Sequence, residues 1–309
     1  MRIQRSILSV PGSNWKMIQK GAASQADIAL LDLEDAVAPD SKADARQVVI
    51  QAFTELDWGD KPRTFRMNAL DTPYFYRDLI DIVEGARGTV DLIVVPKVNR
   101  PEDVYVVDTI LTQIERGIGQ ERHIRLEAQI ETAKGLINCE AIAESSDRLT
   151  SLIYGPGDYS ASVQMPSTSI GVMDEWDAVY PGHRYQYVMH RILAAARAAG
   201  IRAIDGPFAN FRDADGHRTS CLMARAMGYD GKWCIHPAQI EVTNELFSPS
   251  ADDIDWAQRV IKAYEDANRN GLGAVELDNK MIDAANIRMA QATIDQARAA
   301  GLLENTASD

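Results

Sequence analysis

Ile124-Arg125-Leu126-Glu127-Ala128-Gln129-Ile130-Glu131 and Leu149-Thr150-Ser151-Leu152-Ile153-Tyr154-Gly155-Pro156-Gly157-Asp158 are two short β-type runs, each closing on a carboxylate. Each is bounded by glycine, proline or helix-forming residues. An acid at the carboxyl end of a strand spends local apolar burial on a charged tip that needs a partner or a cation. Two of them at successive strand ends point to a divalent metal site.

Working outward from these two, β-branched runs begin near Ser6, Ile28, Thr64, Leu92, Ile124, Leu149, Ile201 and Lys232. Amphipathic stretches separate them, at about 42–53, 74–83, 101–115 and 185–199; in the last, Val188, Ile192, Leu193 and Ala196 share one helical face. Alternating β and α elements imply parallel strands with crossover helices, because parallel neighbours cannot be joined by a tight hairpin. Eight such units favour a closed (β/α)8 TIM barrel of the α/β class over an open sheet, since closure leaves no strand edge. A dinucleotide-binding sheet would show G-x-G-x-x-G after an early strand, and Val10-Pro11-Gly12-Ser13 does not supply it.

Residues 159–184 break the rhythm: rich in Ser, Pro, Gly and Met, they follow a strand on the face where barrels keep their active sites, and are expected to be functional. Ser248-Pro249-Ser250 marks a boundary between a barrel domain, 1–248, and a carboxyl-terminal segment, 249–309. Two helices are expected there, at about 252–268 and 281–299, joined by the turn Asn270-Gly271-Leu272-Gly273. The pair is surplus to a barrel and reads as a helical lid or an oligomer contact.

The 309-residue chain is 46% hydrophobic and 25% charged, ordinary values for a protein with a sizeable core. A formal charge of −13, from 32 basic against 45 acidic residues, argues against nucleic acid or anionic lipid as the main partner. An anionic ligand must instead meet placed cations such as Arg5, Lys16, Arg66 and Lys97. Cys139, Cys221 and Cys234 form no CxxC pair, so reduced, buried thiols are expected. The early apolar patch Ile7 to Val10 is too short for a signal core, no run approaches membrane-spanning length, and the expected location is the cytoplasm.

The polar residues expected at the barrel mouth are Asp32, Glu34, Asp35, Arg66, Asn68, Lys97, Glu131, Asp158, Asp205 and His236. So many converging carboxylates would repel one another without a cation. Mg²⁺ suits them, taking one or two carboxylates plus waters and substrate oxygens. Zinc fits less well, because the five histidines are scattered at 123, 183, 190, 217 and 236. Each residue has a plainer reading: Glu131 as a surface cap of the following helix, Asp158 as a turn cap, Asp32-Leu33-Glu34-Asp35 as a solvated acidic loop. Arg66, inside Thr64-Phe65-Arg66-Met67-Asn68, demands an anionic partner if buried.

With Ser9-Val10-Pro11-Gly12-Ser13, Leu31 through Pro39, Phe65-Arg66-Met67-Asn68, Val95-Pro96-Lys97-Val98, Ile130 through Gly135, Gly155-Pro156-Gly157-Asp158-Tyr159, Lys232 through Ile240 and Lys280-Met281-Ile282-Asp283, the chain resembles the CoA-dependent lyases of the citrate lyase β-subunit and malyl-CoA lyase family, within the HpcH/HpaI aldolases. The matching segments run through all eight units into the tail. The closest motif agreement is with enzymes handling both malyl-CoA and β-methylmalyl-CoA. The resemblance implies Mg²⁺-dependent, Claisen-type cleavage of a malyl-CoA-like thioester to glyoxylate and acetyl-CoA, or propionyl-CoA from the methylated substrate, with Mn²⁺ as an acceptable substitute metal.

By that resemblance Glu131 and Asp158 bind the metal, Glu34 and Asp35 hold metal-bound waters, and Arg66 grips the keto acid and the developing enolate. Gly157 and Asp158 join Arg66 as expected substrate contacts. Asp283 matches an acid that a neighbouring subunit's tail swings over the site, which implies a homotrimer or homohexamer with the lid supplied in trans. CoA is expected near Arg5, Lys16, Lys97, His236 and Pro237, with Gly12, Ser13 and the helix start beyond them offering backbone N–H groups to its phosphates. Competing readings are a citramalyl-CoA lyase, a citrate lyase β-like chain, a malyl-CoA thioesterase, and a catalytically silent oligomeric binding protein.

Overall fold

The computed structural model describes residues 3–180 and 183–304. Eight parallel strands, β1 (Ser6–Pro11), β2 (Ile28–Asp32), β3 (Thr64–Arg66), β4 (Leu92–Val95), β5 (Arg125–Ile130), β6 (Leu149–Tyr154), β7 (Arg202–Asp205) and β8 (Gly231–Cys234), pair in sequence order and close through β8 on β1. The chain is a (β/α)8 barrel. Each strand begins within one residue of its expected start, because short β-branched runs between amphipathic helices leave little freedom for the boundaries.

Outside the strands lie α1 (Trp15–Ala22), α2 (Lys42–Glu55), α3 (Phe75–Gly85), α4 (Pro101–Ile118), α5 (Ala133–Ile137), α6 (Cys139–Ala143), α7 (Pro156–Ser162), α8 (Glu175–Val179), α9 (Gln186–Ala198), α10 (Ala214–Met227) and α11 (Ile240–Leu246). The four helices anticipated from periodicity are α2, α3, α4 and α9. Among the described residues no helix is long and apolar enough to cross a membrane. Cys139, Cys221 and Cys234 are free and buried.

Strand register decides what faces inward. Ile7, Ile28, Leu30, Leu92, Val94, Ile153, Ile204 and Trp233 form one buried cluster, with Ile7 opposite both Ile28 and Trp233 and Ile153 opposite Ile204. Side chains alternate along a strand, so Asp32, two residues beyond Leu30, shares the inward face. Arg66 lies opposite Asp32, and Gln129 lies opposite Ile153. The apolar floor therefore gives way toward the carboxyl ends to a polar layer drawn from β2, β3 and β5.

The segment 159–184 contains α8 and is clasped by Arg184, whose guanidinium meets Asp174 at 2.8 Å and Asp177 at 2.9 Å and donates to the Pro166 carbonyl at 2.6 Å. Gly171, at φ 69°, allows it to lie against the loop after β7; a Cβ there would stand 2.4 Å from the Pro207 carbonyl oxygen.

The described chain divides into two compact units, Gln4–Asn244 and the remainder. The tail unit holds α12 (Ala251–Arg269) and α13 (Ala284–Ala299), packed through Ala257, Val260, Ile282, Ala290 and Ile294. A simple helix pair was expected, yet a hairpin of β9 (Val275–Leu277) and β10 (Lys280–Ile282) lies between them, and Met281 is in a strand. Its turn, Asp278-Asn279, has φ of 51° and 57° at both positions, the left-handed pair that a two-residue hairpin turn requires and that Asp and Asn tolerate. Three-residue strands are too short to show a period of two, so the pattern hid inside a stretch read as turn and helix.

Barrel closure generates a prediction. At Gly231 a Cβ would meet the backbone oxygens of Gln4 at 2.1 Å and Arg5 at 2.6 Å, so β1 and β8 would have to separate. Gly231→Ala should destabilise the protein by about 1–3 kcal/mol in urea unfolding; an unchanged midpoint would mean that the seam is not close-packed.

Candidate functional site

The polar layer is organised around Arg66. Its Nε and Nη2 donate to the two oxygens of Asp32 at 2.8 and 2.6 Å, a bidentate pair set up by the Asp32–Arg66 register. Nη1 lies 2.8 Å from Glu34 Oε2, Nη2 lies 3.6 Å from Asp35, and the guanidinium stacks over Trp233 at 5.2 Å. Arg66, Asp32 and Glu34 are all buried. Burial disfavours the guanidinium charge, but Asp32 and Glu34 outweigh it and raise the Arg66 pKa above its usual value. Lys42 fixes the turn that carries the acids, donating to the carbonyls of Leu33 and Glu34, each at 2.6 Å.

Lys97 follows β4 in a left-handed conformation, φ 51°, strained for a residue with a side chain. Its amide donates to Glu131 Oε1 at 2.8 Å, while its ammonium stands 2.7 Å from Glu34, 3.8 Å from Asp35 and 3.6 Å from Asp158. Gln129 donates to the other Glu131 oxygen at 2.6 Å. Gly155 makes room for that acid: a Cβ there would lie 2.3 Å from Glu131 Oε2. Asp158 is in the first turn of α7 rather than on β6, and its carboxylate is part-exposed.

Asp32, Asp35, Arg66, Gln129, Glu131 and Asp158 line one cavity of about 400 Å³, with Trp233 and Met17 among the remaining walls. Glu131 is the least comfortable group in it. Burial, then the facing carboxylate of Glu34, push its pKa up to about 8; Arg66 pulls the other way and Asp158 adds to the rise. Acids outnumber cations at this point, and an additional positive charge would relieve the excess.

Among the described residues no group of three or more His, Cys, Asp and Glu side chains is gathered closely enough to hold a metal. Mg²⁺ does not need such a cage, because one or two carboxylates with water and substrate oxygens complete its shell. The ammonium of Lys97 already puts a cation among Glu34, Asp35 and Asp158. Hard oxygen donors, a resident cation and an under-compensated buried acid fit a divalent ion.

The expected site residues divide cleanly. Glu34, Asp35, Arg66, Lys97, Glu131, Gly157 and Asp158 come together. Arg5 does not: it precedes β1 at the opposite end of the barrel, gripping Asp27 at 2.8 and 2.9 Å, because a strand-start residue points away from the mouth. Lys97 is held by acids and is not a free cation for CoA. The Gly12 N–H is already given to the Asp32 carbonyl at 2.8 Å and cannot serve a phosphate. Lys16 is exposed in the first turn of α1, beside the cavity residue Met17.

His236 and Pro237 are exposed beyond β8; the imidazole accepts from Ala238 N at 3.2 Å and stacks on Phe211 at 4.8 Å. Asp205 was expected at the mouth, yet it turns outward to Lys232 at 2.5 Å, since its parity on β7 is opposite to that of Ile204. Asp283 caps α13, accepting from Ala285 N at 2.9 Å and Asn286 N at 3.3 Å. Sequence reasoning gave no role to Gln129 or Trp233. Gln129 sits two residues before Glu131 on one strand face, a signal available from period-two counting.

The family model described as HpcH/HpaI aldolase/citrate lyase matches residues 5–237. An L-malyl-CoA/β-methylmalyl-CoA lyase from Cereibacter sphaeroides is 39% identical over 302 residues, 96% of this chain and 95% of that protein. A (3S)-malyl-CoA thioesterase from the same species is 36% identical, covering 96% and 95%. A solved structure of CitE from Mycobacterium tuberculosis in complex with magnesium, acetoacetate and coenzyme A superposes with a TM-score of 0.75 at 28% identity, over 97% of this chain and 98% of that one.

The raised pKa of Glu131 has a consequence for stability. The native chain retains a proton that the unfolded chain, with an ordinary value near 4.5, has already released, so metal-free stability falls as pH rises from about 4.5 to about 8. Glu131→Gln cannot ionise and should reduce that decline. Thermal melts in chelator across this interval test it; parallel slopes for the two proteins would contradict the assignment.

Proposed function

The chain belongs to the HpcH/HpaI aldolase/citrate lyase family and is a carbon–carbon lyase, and from that premise we propose that it cleaves malyl-CoA reversibly to glyoxylate and acetyl-CoA, and β-methylmalyl-CoA to glyoxylate and propionyl-CoA. The observation that carries this reading is a buried Glu131 sharing one cavity with Asp158 and with an Arg66 anchored by Asp32. Such a site favours ligands that bring positive charge to the acids and negative charge to the guanidinium.

Glu131 and Asp158 would hold Mg²⁺, with Glu34 and Asp35 taking hydrogen bonds from its waters. When bound, the ion supplies Lewis acidity and orientation to the keto-acid oxygens. In cleavage the substrate hydroxyl gives its proton to solvent water and becomes the aldehyde carbonyl of glyoxylate. The bond between that carbon and the thioester α-carbon breaks, and its electron pair forms the thioester enolate, which ends as acetyl-CoA on protonation at carbon. Arg66, pinned by Asp32 and Trp233, offers its remaining N–H groups to the developing negative charge without having to reorient. Gly157 and the α7 start that carries Asp158 form the wall against which the keto acid would lie. Lys16 is the proposed cation for CoA phosphate.

Asp283 is the proposed proton donor and acceptor at the acetyl carbon, delivered by the tail of a neighbouring subunit in a trimer or hexamer. Three free, buried thiols suit a reducing compartment, and the cytoplasm is the proposed setting. The 36%-identical thioesterase supports a second outcome, hydrolysis of the same thioester.

Separate measurement of glyoxylate, pyruvate, acetyl-CoA and free thiol from malyl-CoA, β-methylmalyl-CoA and citramalyl-CoA distinguishes these reactions. Glyoxylate matched by acetyl-CoA is expected; thiol release without it would identify a thioesterase, and pyruvate a citramalyl-CoA lyase. Glu131→Gln should abolish Mg²⁺-dependent turnover with the fold intact. Arg66→Lys, which loses the planar fork, should lower kcat by roughly a hundred- to a thousand-fold. Asn caps a helix as well as Asp does, so Asp283→Asn preserves α13 and should still remove most activity. Full activity in that variant would exclude the acid from the reaction.

A further inference from the structure

The inserted segment reaches the mouth cavity at one residue. Ile170 stands in its wall with Gly155, Pro156, Gly157 and Asp158, and it is 45% exposed, a large aliphatic side chain open to the space beside the acids. It rests against Gly157. A Cβ on that glycine would meet Ile170 Cδ1 at 3.0 Å, Cγ1 at 3.3 Å and Cγ2 at 3.6 Å, so the gap between the two residues does not hold even one added carbon at ordinary contact distance.

The backbone that carries Ile170 is anchored. Its carbonyl accepts from Ala209 N at 2.9 Å, and Gly171, in its left-handed conformation, is pressed against the Pro207 carbonyl. Arg184 ties the segment on both sides of Ile170, through the Pro166 carbonyl and through Asp174. The loop after β7 that receives these contacts also lends Pro207 to the same cavity. Branching at Cβ restricts the χ1 of the side chain. An aliphatic group held in this way is a fixed wall.

A fixed apolar wall sorts substrates by size, since it offers nothing to their charges. In the lyase reading the keto-acid half lies against Gly157 and the start of α7, and three bonds of its hydroxyl-bearing carbon are committed. The carboxylate and the hydroxyl turn to the polar side of the cavity, and the thioester arm leads away to CoA. The fourth substituent is left for the apolar wall. It is hydrogen in malyl-CoA and β-methylmalyl-CoA, which release glyoxylate, and methyl in citramalyl-CoA, which releases pyruvate. We propose that Ile170 is a specificity-determining residue, excluding a methyl group on the hydroxyl-bearing carbon and so selecting an aldehyde over a ketone product. The inference rests on the lyase reading and extends it to the choice of keto acid. The extra methyl of β-methylmalyl-CoA sits on the neighbouring carbon, which departs with CoA, and escapes this restriction.

The kcat/KM values for citramalyl-CoA, malyl-CoA and β-methylmalyl-CoA in wild type, Ile170→Val and Ile170→Ala test the assignment. Wild type should prefer malyl-CoA to citramalyl-CoA. One methylene in an apolar pocket is worth about 10–200-fold, so Ile170→Ala should raise the ratio of citramalyl-CoA to malyl-CoA by about that factor. Ile170→Val, which loses only Cδ1, should fall between. The ratio of β-methylmalyl-CoA to malyl-CoA should not change. Ile170 is part-exposed, so both variants should melt as wild type does. Calorimetric titration of the Mg²⁺-loaded protein with glyoxylate and with pyruvate gives a reading independent of turnover: wild type should bind glyoxylate the more tightly, and Ile170→Ala should narrow the difference. Thiol release is followed beside glyoxylate and pyruvate, so selectivity is measured whichever bond is cut. Thiol without matching glyoxylate in wild type would sink the lyase reading alone. Equal use of citramalyl-CoA and malyl-CoA by wild type, an unchanged ratio in Ile170→Ala, or an equal gain for β-methylmalyl-CoA would overturn the role of Ile170 and leave the lyase reading intact.

Discussion

A guanidinium buried inside a barrel is the constraint around which this molecule is arranged. Arg66 cannot be left unpaired there, because an isolated internal charge would cost several kcal/mol even after relaxation. Asp32 answers it with both oxygens, Glu34 with one, and Trp233 lies beneath it. These partners come from β2, the turn beyond it and β8, so the pairing depends on the closed sheet. The strands' apolar layer supplies the rigidity, and the polar layer above supplies a charge that is held still.

Compensation is incomplete two staves further round. Glu131 takes hydrogen bonds from the Lys97 amide and the Gln129 side chain, but its nearest full charges include two acids. Lys97 spreads one ammonium over Glu34, Asp35 and Asp158 from a strained backbone. The site thus combines an arginine with its charge fully satisfied and an acid with its charge suppressed. That asymmetry distinguishes it from an ordinary structural ion-pair network such as Arg148 with Asp108 and Glu115, where each acid's pKa is held down.

Much of this was legible from the chain alone, for identifiable reasons. Strand starts were visible because β-branched runs alternate with helical periods, and the mouth residues because barrel strands end where charge begins. Arg66 announced its need for an anion simply by lying within a strand. Parity was harder: Asp205 ends a strand as Asp32 does, but one position of difference in register sends it to the outer face with Lys232. The destinations of Arg5 and Lys97 depended on neighbours distant in sequence, Asp27 for one and three acids for the other. The hairpin around Asp278-Asn279 was too short to register as strand, although its turn residues were suggestive.

The Asp32–Arg66 register also matters before any substrate arrives. A slip of β2 against β3 by a single residue would rotate one partner to the far side of the sheet and strand the other in an apolar interior. Aliphatic side chains such as Leu30 and Val94 tolerate many near-equivalent packings, whereas a forked cation and a two-oxygen anion accept only one alignment. The charged pair therefore acts during folding as a check on assembly, rejecting misaligned barrels whose greasy core alone would have passed them.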